Sequence, residues 1–79
     1  RRGDPERAAA LFEESLAIWR ELGDRLRQAL ALNNLGVAAF EAGDLARAAA
    51  RYEEALAIAR ERGDQTHVAL TLHNLAEVL

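Results

Sequence analysis

The dipeptide Gly-Asp recurs at residues 3, 23, 43 and 63, and these four Asp are the only Asp in the chain. Glycine takes the left-handed backbone conformation that stops a helix. Aspartate in turn accepts a backbone N–H at the start of the next one. A stop and a start repeated every 20 residues confine the chain to helices joined by two-residue turns. The predicted helices run roughly over 5–22, 25–42, 45–62 and 65–79. Pro5, directly after Asp4, suits a first helical turn because its missing N–H would have no partner there anyway.

A longer period is superimposed on this one. Shifting the sequence by 40 residues makes 20 of 39 aligned positions identical. Arg7-Ala8-Ala9-Ala10 falls on Arg47-Ala48-Ala49-Ala50, and Leu16-Ala17-Ile18 falls on Leu56-Ala57-Ile58. Asn34-Leu35 likewise falls on Asn74-Leu75. The unit is therefore a helix pair, whose two members differ. In the second helix Ala29, Leu32, Leu35, Gly36 and Ala39 line one side at helical spacing. Glycine in a helix interior costs roughly 1 kcal/mol, so Gly36 is expected where a neighbour approaches closely, with small residues facing it. The third helix presents Ala48, Tyr52, Ala55, Leu56 and Ile58 to the core and leaves Glu53-Glu54 and Arg60-Glu61 solvated.

Composition agrees with an all-α chain. Half the residues are apolar, yet only four are aromatic, and the rest are mainly Ala and Leu, which cost little in helix propensity. There is no Cys, which excludes disulfides and thiolate metal sites. A net charge of −3 argues against a nucleic-acid partner, which selects a basic face. No apolar run reaches the length of a membrane span and no signal peptide precedes the first helix, so a cytoplasmic location and no membrane partner are expected. All ten basic residues are Arg, which with the abundance of Ala suggests GC-rich coding and a bacterial source.

At Leu32, Leu35-Gly36, Phe40, Gly43-Asp44, Ala48, Tyr52, Ala55-Leu56 and Ile58 the sequence resembles the tetratricopeptide repeat family. One full repeat is preceded by the second helix of another (Ala8, Phe12, Leu16, Ile18) and followed by the first helix of a third (Leu72, Leu75-Ala76). The family's usual period is about 34 residues, and Arg60 stands where it ends on proline. The longer period resembles the long-helix variety of kinesin light chain and of sensor arms in bacterial signal-transduction ATPases and transcription regulators. The resemblance implies an α-solenoid, a right-handed superhelix of antiparallel helix pairs. Its first helices would line a concave groove that takes a peptide or partner helix. Carried over by position, the groove side would be Leu30, Asn33, Asn34, Val37 and Glu41, with Leu70, His73, Asn74 and Glu77. Those positions also recur at helical spacing opposite the packed stripe. Asn34 and Asn74 then either contact a partner backbone or tie one helix to the next. A known use of such folds, clamping an acidic tail with Lys, is disfavoured because Asn33 and His73 occupy the clamp's lysine positions.

One asymmetry suggests a second surface. Leu11, Ser15, Trp19 and Leu22 replace Arg51, Ala55, Ala59 and Arg62 along one stripe. Exposed Leu11, Trp19 and Leu22 would serve either contact with a preceding helix or self-association. A solenoid buries its core by stacking repeats, so one module over 1–79 is expected to belong to a longer array or to stack through its ends. No phosphate loop, nucleophile–base pair or metal-ligand spacing occurs, and His67 and His73 point to different sides of a helix. The chain is expected to be no enzyme, to need no cofactor or metal, and to bind protein. It would act as a scaffold in a bacterial regulator or, alternatively, as a structural spacer that self-assembles.

Overall fold

The computed structural model describes residues 4–79. Four helices follow one another: α1 (Pro5–Leu22), α2 (Arg25–Glu41), α3 (Leu45–Arg62) and α4 (Gln65–Val78). They lie within a residue of the expected bounds, and each packs on the next in order. Gly3, the first expected boundary glycine, falls outside the described residues.

The Gly-Asp pairs act as their chemistry requires. Gly23 and Gly63 cap α1 and α3 with φ of 70° and 67°. Gly43, at φ 82°, follows the Ala42 cap of α2 by one residue. Every Asp begins a helix. Asp4 accepts from the N–H of Glu6 and Arg7, and Asp24, Asp44 and Asp64 accept from those of Arg27, Arg47 and His67. At Asp24, Asp44 and Asp64 the side chain of that third residue turns back onto the same carboxylate. Arg27 reaches Asp24 at 2.8 Å, Arg47 reaches Asp44 at 3.5 Å, and His67 Nδ1 lies 2.6 Å from Asp64. The backbone bond from Arg27, then its side chain, holds Asp24 below the usual carboxylate range; His67 does the same to Asp64.

The packed stripes predicted from periodicity are buried. Leu16, Ala29, Ala31, Leu32, Leu35, Ala55 and Ile58 form one cluster across α1, α2 and α3. Burying a leucine such as Leu16 or Leu32 contributes roughly 1.5–3 kcal/mol. A second cluster of Ala39, Ala48 and Tyr52 receives Leu75 and Val78 from α4. A side chain of α3 packs directly on Gly36, but a large ring, Tyr52, rather than a small residue faces it. A Cβ built on Gly36 would lie 2.6 Å from Tyr52 Cδ1, inside van der Waals contact. The glycine thus makes room for a tyrosine that is itself buried.

Polar groups brace the helix ends. Glu61 accepts from Arg25 Nε and Nη2 at 3.0 and 2.8 Å, joining the end of α3 to the start of α2. Arg25 also donates to Gln28, whose amide donates to the Trp19 carbonyl of α1. Gln28 is buried, so this relay satisfies an amide that would otherwise destabilise the core. The molecule measures 36 × 29 × 20 Å.

Candidate protein-interaction face

Helix α2 is covered over most of its circumference, because α1 and α3 flank it and α4 touches it. Its exposed residues include a row at helical spacing that begins at Arg27. Leu30, Asn34, Val37 and Glu41 are exposed along it, spaced at three and four residues. On α4, Leu70, His73 and Glu77 are exposed and Asn74 is half-buried. These are the residues expected to share a face across α2 and α4.

Asn33 does not share it, which corrects its expected place in the groove. It is only 7% exposed, and its amide donates to Thr71 Oγ1 at 3.1 Å; Thr71 is fully buried. The hydroxyl of Thr71 lies 3.3 Å from Asn33 Oδ1, so the pair can exchange both bonds. This is the tie between α2 and α4, and it sets the two helices side by side. The alternative left open for Asn34 and Asn74, that they link neighbouring helices, is thus taken by Asn33. Neither Asn34 nor Asn74 hydrogen-bonds another described side chain.

Phe40 was not among the expected contact residues. It follows Asn33 by seven residues, two turns along the line toward α4, and is 42% exposed. That spacing, in a helix already apolar on two sides, was the signal that could have found it. Beneath this end of the face lies Tyr52, whose phenol is pushed up first by burial and then by the Glu77 and Glu41 carboxylates. His73 lies 3.7 Å from Glu77, one turn away.

The second expected surface is divided differently. Leu11 and Leu22 are exposed, but Trp19 is partly buried against the core, with the Arg27 guanidinium 5.2 Å above its ring. Its counterpart Ala59, and Ala55 opposite Ser15, are buried, so the four positions are not one exposed stripe. The reason is what covers them: in the second helix pair α2 lies on Tyr52, Ala55 and Thr71. The equivalent surface of α1 and α2 is instead an open cavity of 240 Å³ lined by Phe12, Ser15, Trp19, Arg27, Leu30, Ala31 and Asn34. Arg51 is also no freely exposed cation, since it pairs with Glu13 of α1 and with Glu54. A cavity of 280 Å³ beside it, between α1 and α3, has a rim of both charges, with Arg47 near Asp44.

Among the described residues no group of three His, Cys, Asp or Glu is placed to hold a metal. No helix among them is long and apolar enough to cross a membrane.

Four antiparallel helices with glycine-ended turns and a repeating packed stripe define a helical-repeat protein. A family profile described as tetratricopeptide repeat matches residues 1–61, and the chain belongs to that family. No curated protein and no solved structure matches it. Tetratricopeptide repeats generally mediate protein–protein interaction and are typically non-catalytic scaffolds.

Proposed function

We propose that this chain is a protein-interaction scaffold that takes a peptide or partner helix along the α2/α4 face. Leu30, Asn34, Val37 and Glu41 with Leu70, His73, Asn74 and Glu77 would carry the contact. The observation behind this reading is that Asn34 and Asn74 keep unused amides between exposed apolar residues on adjoining helices. An amide offers a donor and an acceptor to an extended backbone, and Leu30, Val37 and Leu70 offer apolar area beside it. The all-Arg, Ala-rich composition supports a bacterial source. We place the module in a cytoplasmic regulatory protein, as one section of a longer array.

Changing Asn34 and Asn74 to Ala together is expected to weaken binding of candidate partners by roughly 1–3 kcal/mol, because the partner's groups lose their bonds on desolvation. Calorimetric titration of the wild-type and doubly substituted chains checks this. Unchanged affinity for every partner would remove the face from the reading.

A second reading, self-assembly as a structural spacer, draws on the open α1/α2 cavity, whose counterpart in the chain is filled by a helix. Concentration-dependent association in the same titration series, insensitive to Asn34 and Asn74, would favour it.

A further inference from the structure

Resting on the self-assembly reading, we infer that the chain associates head to tail with a second copy of itself. The outer side of α4 in one copy packs on α1 and on the α1/α2 cavity of the next. The contact repeats the way α2 packs on α3 and α4 within a copy.

The 40-residue repeat lets one residue be compared in two settings. Leu32 and Leu72 occupy the same place in their helices, yet Leu32 is 1% exposed and Leu72 is 42% exposed. Ile58 and Ile18 stand in the same relation, at 6% and 49%. Ala29 is buried in α2, and its counterpart Ala69 is exposed on α4. Within the copy, Ala29, Leu32 and Ile58 belong to one buried cluster that joins α2 to α3. Ala69, Leu72 and Ile18 are thus the two halves of a contact that the molecule already makes once. One half lies on α4 and the other on α1, and these helices do not pack on each other. A second copy supplies the matching half. The cavity agrees with this. Where α2 is seated on Tyr52, Ala55 and Thr71, the counterparts Phe12, Ser15 and Ala31 line the open 240 Å³ cavity. A helix of the α2 type fits there, and α4 is the helix that repeats α2.

The polar counterparts set how strong the contact is. Arg20 lies 3.7 Å from Glu54, and the same two residues recur as Arg60 of one copy and Glu14 of the next. Other pairs are weakened. The Arg25–Glu61 bridge becomes Gln65 with Glu21, Arg51–Glu13 becomes Leu11 with Glu53, and Asn33–Thr71 becomes His73 with Ala31. Ala76 stands for Gly36, so the Phe12 ring has to sit further off than Tyr52 does. The junction between copies is therefore looser than the one within a copy, and it is reversible. Because its two sides differ, it does not close as a two-fold dimer but extends into an open series. Leu70 stays exposed with α2 nearby, and its counterpart Leu30 does the same in the stack, so the proposed binding row is continued rather than covered.

Sedimentation velocity of the 79-residue chain tests this. Between about 10 μM and 1 mM the average mass is expected to rise without levelling at a dimer. Leu72→Glu blocks the α4 side and Ile18→Glu blocks the α1 side, both at exposed positions where circular dichroism should show the fold kept. Each variant alone is expected to remain monomeric. An equimolar mixture is expected to form a one-to-one dimer, because it retains one intact α4 side and one intact α1 side. Association that persists in both variants, or a mixture that remains monomeric while the wild type associates, overturns the head-to-tail contact and leaves self-assembly standing. A wild-type chain that stays monomeric throughout overturns both.

Discussion

Gly36 and Tyr52 act as one unit. Methyl-for-hydrogen substitution at a helical glycine ordinarily stabilises by about 1 kcal/mol through helix propensity. Here the added carbon would overlap a ring that is only 3% exposed and held by Ala39 and Ala48. Overpacking of that kind costs about 1–3 kcal/mol. Gly36→Ala is therefore expected to lower the melting temperature, and adding Tyr52→Leu should recover part of the loss. Thermal melts of the single and double variants check this; a more stable Gly36→Ala would mean the ring moves aside freely. The neighbouring asparagines show the same dependence on surroundings. Asn33 and Asn34 are adjacent and chemically identical, yet one is structural and the other is open.

The helices owe their lengths to local chemistry and their relative positions to a few contacts. α2 is held by apolar packing against α1 and α3, but its link to α4 is the buried Asn33–Thr71 pair. Thr71→Val keeps the shape and removes the hydroxyl, leaving the Asn33 amide buried without that partner. A loss of about 1–3 kcal/mol is expected in urea unfolding, with the slope of the transition unchanged. A Val variant as stable as the wild type would show that water reaches Asn33. Helix boundaries were legible in the sequence because Gly-Asp acts on its own backbone. The packed stripes were legible because helical period selects a side. Asn33 was not, since periodicity tells which way a side chain points and not whether a helix 38 residues further on meets it. Trp19 was misplaced for the same reason: its exposure depends on a neighbouring helix and on Arg27 lying above it.

For the whole molecule, the caps and the Arg25–Glu61 bridge set a window of pH. Backbone donation from Arg27 and His67 lowers Asp24 and Asp64 from an ordinary 3.8, and the Arg25 hydrogen bond lowers Glu61 from 4.5. A carboxylate lowered on folding contributes stability that is complete above its ordinary value and lost as pH falls through its folded value. Tyr52 lies on the other side. Burial, followed by Glu77 and Glu41, raises it from 10.0, so the folded state keeps a proton that the unfolded chain gives up. Stability from that group declines as pH rises past its ordinary value. The melting temperature is expected to be level between about pH 5 and 9 and to fall on both sides. Melts across pH check this, and Tyr52→Phe should flatten the alkaline limb while leaving the acid one.

By itself the sequence determined the class of fold: four helices, their ends, their buried sides and the 40-residue unit. Each follows from interactions within a few residues or from the periodicity of one helix. Tertiary structure decided which polar residues stay available. Burial of Asn33, partial burial of Trp19, the fit of Tyr52 on Gly36, and the influence of Glu77 and Glu41 on its phenol all require helices to pack. Such contacts join residues far apart in the chain, and no local pattern encodes the distance between them.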